Sequence, residues 1–254
     1  MHSSRFLTIH LSLALGLTTA QQPPPANDPP KFPYAEALAF RVGWRMITAG
    51  NATLRLTPAA AATWQLNMDL ASAGFVNQLY HVSDSYKLST NARFCGASVS
   101  LDAQEGKHHS LTALAFDNEK HKLTVSGRDL IANTTHKAEL DIPPCAYDIV
   151  GALMTLRAAQ LEPGMKLVLP VTDGKQLANV RVEGLGKEKL VLNGKSYNTV
   201  RYETFVFNNM LYRRKGRLLV WMTDDAQRLP VQMRFVFGFP LGDITLELEK
   251  VEKL

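Results

Sequence analysis

Apolar and polar residues alternate in short runs along most of this chain, and polar or glycine-containing breaks separate the runs. Trp64, Leu66, Met68 and Leu70 alternate with Gln65, Asn67 and Asp69, the two-residue period of a half-buried strand. Ala37–Ile47 and Asn51–Leu56 flank Ala49-Gly50 and predict a hairpin there. Phe75–Tyr80 reads as one helical turn. Ser85–Ser89, His109–Phe116, Lys122–Val125 and Thr134–Leu140 read as further strands. In the C-terminal half, Lys166–Val171 and Leu177–Glu183 flank Asp173-Gly174. Lys189–Leu192 and Tyr197–Phe207 flank Asn193-Gly194. Asp-Gly and Asn-Gly between apolar runs mark tight hairpins, because both residues of each pair tolerate positive φ. Met210–Met222, Leu229–Phe237 and Asp243–Val251 complete the series, with Asp224-Asp225 placed as turn residues.

One segment breaks the two-residue period. Ala146–Gln160 follows Pro143-Pro144, ends before Pro163-Gly164, and sets Ile149, Val150, Leu153 and Leu156 on one face at helical spacing. That stripe reads as core packing. Many strands, successive hairpins and a single principal helix predict a mainly β fold: a curved antiparallel sheet or open barrel with the helix packed against it. The run Leu218–Met222 is apolar on both faces of its strand. It is either covered on two sides or lines a pocket.

The N-terminus has a different character. Arg5 is the only formal charge in the first twenty residues, an apolar run from Phe6 to Leu17 follows, and Thr18-Thr19-Ala20 closes it. A cationic start, a short apolar centre and a small-residue exit form the pattern of a cleavable secretory signal over residues 1–20, cut after Ala20. The apolar run is shorter than the roughly 20 residues that a membrane-spanning helix needs. Residues 21–33 are rich in proline and read as an extended, disordered lead-in. Residues 34–254 then form a single β-rich domain. No cysteine sits near the cleavage point to take a lipid, and no later apolar stretch is long enough to span a bilayer. The expectation is a periplasmic or secreted protein without a transmembrane anchor.

Export changes how the remaining chemistry reads. Cys95 and Cys145 are the only two cysteines. In an oxidising compartment an even count suggests a disulfide, and the spacing matches neither a redox CxxC nor a zinc motif. Without Arg5 the chain carries 27 cations and 23 anions, net +4. The excess is local: Arg213, Arg214, Lys215, Arg217, Arg228 and Arg234 face only Asp224 and Asp225 between Arg213 and Arg234. Such a cluster is either a solvated strand edge that discourages aggregation or a site for an anionic polymer or lipid headgroup. Export and the missing aromatic-interleaved basic pattern argue against nucleic acid.

No catalytic signature stands out. There is no G-x-S-x-G, no H-E-x-x-H and no P-loop. His108 and His109 are neighbours on a strand and point to opposite faces. His81 and Asp84 are two ligands at most, short of a metal site. No catalytic residue, metal or cofactor is assigned.

Four stretches carry a family resemblance: Phe40–Gly50 (FRVGWRMITAG), Pro143–Leu156 (PPCAYDIVGALMTL), Leu161–Pro170 (LEPGMKLVLP) and Arg214–Val231 (RKGRLLVWMTDDAQRLPV). In these the chain resembles the bacterial family catalogued as domain of unknown function 3108. The resemblance implies one exported β-rich domain and adds weight to Arg214, Lys215 and Arg217, but no activity. The function expected is a non-enzymatic periplasmic module that binds an envelope lipid or anionic cell-wall polymer, through an apolar inner face and through Arg213, Arg214, Lys215, Arg217 and Trp221. The alternatives are an assembly protein acting through a protein partner and, ranked lower, an envelope hydrolase. Oligomeric state is not legible.

Overall fold

A computed structural model of the chain describes residues 35–45, 47–59 and 63–254. The expected secretory signal over residues 1–20 and the expected lead-in over residues 21–33 lie outside the described residues. Fourteen strands form one sheet in which every neighbouring pair is antiparallel. The first half is a meander: β1 (Glu36–Trp44), β2 (Ile47–Ala59), β3 (Thr63–Ser72), β4 (Val82–Thr90), β5 (Gly96–Glu105), β6 (His108–Asp117), β7 (Lys122–Asp129) and β8 (Thr134–Asp141). A short helix α1 (Gly74–Leu79) links β3 to β4, and α2 (Ile149–Ala158) follows β8. The second meander contains β9 (Lys166–Thr172), β10 (Leu177–Leu192), β11 (Lys195–Thr204), β12 (Gly216–Thr223), β13 (Pro230–Phe237) and β14 (Asp243–Lys253). Pairing of β14 with β1 joins the halves, giving the order β8 to β1, then β14 back to β9.

The sheet rolls up without closing. A Cβ placed on Gly174, in the β9–β10 turn, would lie 2.7 Å from the side chain of Leu114 on β6. Strands remote in the sheet order thus come together, although among the described residues β8 and β9 remain the ends of the sheet. The β9 end is partly covered by a parallel bridge from Tyr147 to Val171. The β8 end carries His136, Lys137, Glu139 and Asp141, charged and polar residues of the kind that blunt an open edge.

The predicted fold class is the one observed, and the differences lie in element boundaries and in one strand, β5, that the pattern does not mark. The first hairpin turns between Trp44 and Ile47 rather than at Ala49-Gly50. Gly50 serves a different purpose, because a Cβ there would lie 2.2 Å from the Ala71 carbonyl oxygen on β3. β5 escaped the pattern, since its outward positions Ser98, Ser100 and Asp102 leave only Val99 and Leu101 as bulky apolar residues. The two segments expected at 177–183 and 189–192 are one long strand with a register shift between Gly184 and Gly186. The strand expected from Met210 begins only at Gly216, and residues 205–215 form a connection instead. There Asn208 and Asn209 both take positive φ, and Asn208 donates its side-chain amide to the Gly216 carbonyl (3.0 Å). Asp225 does shape the β12–β13 turn, accepting from the backbone N–H of Gln227 (2.9 Å) and Arg228 (3.0 Å).

The principal helix starts three residues later than its pattern suggests, because Asp148 caps it. The Asp148 carboxylate accepts from the N–H groups of Val150 (3.0 Å) and Gly151 (2.9 Å), donors that lack partners at a helix start. The Tyr86 hydroxyl donates to the same carboxylate. Burial pushes the Asp148 carboxyl above its ordinary range, and these hydrogen bonds oppose that shift. Cys95 and Cys145 form the expected disulfide, which ties the β4–β5 loop to the entry of α2. The helix passes so close to that loop that a Cβ on Gly151 would lie 2.8 Å from the Phe94 carbonyl oxygen. At the far end of α2, Arg157 forms a fully buried ion pair with Glu36 of β1 and donates Nε to the Gln227 carbonyl (2.9 Å).

Candidate functional site

The inner face of the rolled sheet is mostly apolar, with the buried Glu36 of β1 an exception, and α2 fills only part of the space it encloses. Between the helix and one end of the roll lies a cavity of about 510 Å³. Its wall comes from alternate residues of both meanders: Phe40 and Val42 of β1, Leu218 and Val220 of β12, Phe235 and Phe237 of β13. Its floor is the helix stripe read from the sequence as core packing. Ile149, Val150, Leu153 and Leu156 all face the void, joined by Ala152. The residues buried on the other side of α2, Gly151, Met154 and Arg157, are those that fasten it to the sheet.

The lining is almost wholly hydrocarbon. Thr53 is one exception, and another is Thr204, buried in the wall at the end of β11, whose hydroxyl has no hydrogen-bond partner among the described residues. Tyr212, in the β11–β12 connection, also lines the void, and burial pushes its phenol up to about 12. Phe207 stands between Tyr212 (5.7 Å) and Phe237 (5.1 Å), so three aromatic rings edge the cavity.

The predicted binding residues divide into two groups. Arg213, Arg214 and Lys215 are exposed on the β11–β12 connection, and the Arg214 guanidinium lies 5.6 Å from the centre of the Phe237 ring that lines the void. They stand on a loop, which corrects the reading of this stretch as a strand edge. Arg217 has the parity opposite to that of Leu218 and Val220. It faces outward and binds Glu203 through two hydrogen bonds of 2.7 and 2.8 Å. Trp221 also points away from the cavity. Its indole N–H donates to Glu188 (2.6 Å). The β10–β11 hairpin folds across this outer face, where Leu192 is buried and Asn193 accepts from Arg41 of β1 (3.1 Å). The apolar run Leu218–Met222 therefore lines the pocket with one face and lies beneath the hairpin with the other. Arg234 is occupied by Asp243, and Arg228 is buried against Tyr202.

A second, shallower groove of about 270 Å³ collects acidic side chains, among them Asp69, Asp84 and Asp102. His109 shares a hydrogen bond with Asp102 (2.8 Å) and His81 with Asn77 (2.8 Å), so neither pairs with Asp84. Among the described residues, no three His, Cys, Asp or Glu side chains converge as a metal site. Burial, reinforced by the negative charge of Glu105, pushes the Asp84 carboxyl up to about 6. Because the folded value lies above the ordinary 3.8, the folded protein holds this proton more tightly. Asp84 therefore lowers stability progressively as pH rises from about 4 through 6. Asp84→Asn, which keeps an acceptor for the Gln104 N–H, raises the thermal midpoint at pH 8 and leaves it unchanged at pH 3.5. The gain is on the order of 1 kcal/mol, since the group is only half-buried. Unfolding curves at the two pH values check this, and an equal effect at both would refute it.

A rolled, open antiparallel sheet with an internal helix and an apolar void defines a β-barrel-like protein with a built-in cavity. The chain belongs to the family described as protein of unknown function (DUF3108), whose sequence profile matches residues 39–249. Its fold is similar to that of a crystallised β-barrel-like protein of domain of unknown function DUF1849 from Brucella abortus. The TM-score is 0.58 at 8% identity, over 87% of this chain and 98% of that one. The likeness concerns fold alone. The hypothetical protein CT021 from Chlamydia trachomatis aligns over 87% of this chain and 88% of that one at 7% identity, with a TM-score of 0.35 that is too low to bear on the fold. No curated protein matches the chain. Among the described residues, no helix is long and apolar enough to cross a membrane.

Proposed function

We propose that this protein is an exported, non-enzymatic binding module whose cavity holds the apolar part of an amphipathic envelope molecule, such as the acyl portion of a lipid. The observation that carries the reading is the cavity, whose 510 Å³ falls within the roughly 300–1,000 Å³ of small-molecule sites. Hydrocarbon walls left in contact with water forfeit the burial that favours folding, and an apolar occupant restores it. The Thr204 hydroxyl, without a partner among the described residues, offers such an occupant a hydrogen bond in a wall that is mostly hydrocarbon. Arg213, Arg214 and Lys215 are positioned near the aromatic edge for a charged head, whereas Arg217 and Trp221, on the outer face, are not part of this reading.

Native mass spectrometry of the protein purified from an expressing bacterial envelope tests the proposal. The expected result is a co-purifying lipid or fatty acid, and binding of a fluorescent fatty-acid probe once that is removed. A protein with neither would sink it. Ala152→Phe places a ring from the helix floor into the void. It weakens probe binding at least tenfold while the thermal midpoint holds or rises, as titration and melting of the same preparation will show.

A further inference from the structure

Four connections meet at the end of the roll where the cavity lies. In an antiparallel meander the β1–β2, β3–β4, β11–β12 and β13–β14 links all fall on one side. Here they are also tied to one another. Ala73, at the start of α1, donates its N–H to the Ala49 carbonyl of β2 (2.8 Å). Arg45 donates its N–H to the Asp243 carbonyl (2.9 Å) and its guanidinium to the Pro240 carbonyl. The Arg214 guanidinium stacks over Phe237 at the end of β13. The four links thus form one continuous arc of rim.

This arc exposes what a soluble surface ordinarily hides. Phe239 is 95% exposed, Phe75 64% and Leu79 63%, with Tyr80, Ile47 and Met210 also exposed. None of these side chains supports the core. The same four links, residues 44–50, 73–81, 205–215 and 238–242, contain Arg45, Arg213, Arg214 and Lys215 and not one Asp or Glu. Of the acidic residues at this end, Asp243 follows the β13–β14 link and is paired with Arg234, Asp173 lies in the neighbouring β9–β10 turn, and Asp84, Asp102 and Glu105 belong to β4 and β5 on the other arc. Exposed aromatic and aliphatic tips among uncompensated cations match an anionic lipid surface, whose headgroups attract Lys and Arg and whose interface accepts aromatic rings. Phe237, Ile244, Val42 and Leu70 line the void and lie at or near the strand ends that feed these links. The apolar tips are therefore continuous with the cavity wall.

We infer that the rim arc formed by Phe75, Leu79 and Phe239 with Arg45, Arg213, Arg214 and Lys215 is a docking surface for an anionic bilayer, set so that a lipid chain passes between bilayer and cavity. The inference rests on the proposed function for the destination of the chain, but docking itself is separable from it. Phe75 and Phe239 enter the interface, the cations meet headgroups, and the acidic arc tilts away.

The test is flotation of the purified protein with vesicles of phosphatidylcholine alone or with phosphatidylglycerol at three parts in ten. The protein is expected to float with the anionic vesicles at least tenfold more than with the neutral ones, and 0.5 M salt reverses this. Arg213→Gln/Arg214→Gln/Lys215→Gln and Phe75→Ser/Phe239→Ser each lower anionic-vesicle binding at least tenfold and keep the thermal midpoint, and the phenylalanine variant, which leaves the cavity lining untouched, also keeps fatty-acid probe binding. Ala152→Phe, which blocks the void, still floats. If the wild-type protein binds the probe but not the anionic vesicles, or if neither rim variant reduces flotation, docking is overturned and the cavity reading stands. Flotation that depends on the rim without any probe binding supports docking and overturns the cavity reading.

Discussion

Arg157→Met lowers the thermal midpoint by roughly 6–20 °C, the expected consequence of losing about 3–5 kcal/mol in a domain of this size. Arg157 and Glu36 are both buried, with about 2% and 3% of their side chains exposed, and each is the other's counter-ion. Removing the guanidinium strands a carboxylate in the interior and also frees the Gln227 carbonyl that Nε bonds. The double variant Glu36→Gln/Arg157→Met recovers much of the loss, because a buried pair replaced by neutral groups costs far less than a pair broken on one side. Thermal unfolding of the three proteins decides this. A single variant within about 1 °C of wild type would show that the pair carries no such energy. The pair also locates α2, since it fastens the C-terminal end of the helix to the first strand. Loosening it moves the cavity floor, so the fatty-acid probe binds the single variant more weakly than the double one.

The disulfide is the second large contribution, at the opposite end of the helix. Cys95 and Cys145 close a span of 50 residues. Loop-closure entropy puts the stabilisation at about 4 kcal/mol. Cys95→Ala/Cys145→Ala is therefore expected to melt some 8–16 °C below the oxidised protein, taking about 2–4 °C per kcal/mol. The oxidised protein in a thiol reductant is expected to approach the variant, and coincident melting of oxidised and cysteine-free proteins would refute this. Asp148 and Gly151 lie within six residues of Cys145, so the bridge also holds the cap of α2 against the β4–β5 loop. Ion pair and disulfide together pin a ten-residue helix at both ends. A helix that leaves one of its faces unpacked against a void needs such fastening.

That arrangement explains why the helix was legible in one respect and misleading in another. Pro143-Pro144, Pro163-Gly164 and the Ile149, Val150, Leu153, Leu156 stripe mark a helix correctly, since they are local consequences of backbone geometry. The stripe says that these side chains avoid water. It does not say whether protein or an empty cavity lies opposite. β5 was missed for a related reason: a strand with small polar residues outside and two bulky ones inside leaves little periodic signal, and its neighbours on both sides hold it in place. Gly50 was read as a turn residue when its role is close approach to a strand some twenty residues away. The basic stretch was read as one cluster, but the parity of β12 and the position of Glu203 separate Arg217 from Arg213, Arg214 and Lys215.

The amino-acid sequence by itself determined the alternation that makes strands, the Asp173-Gly174 and Asn193-Gly194 turns, the one principal helix, the family and the two cysteines available to bridge. Each is written in neighbouring residues or in composition. Only the tertiary structure decided that the sheet rolls without closing, that β1 meets β14, that Glu36 meets Arg157, and that the inner faces enclose more volume than α2 fills. The reason is physical: periodicity records which side of the backbone is apolar, whereas a cavity is a shortfall between enclosed space and summed side-chain volume across residues far apart in the chain.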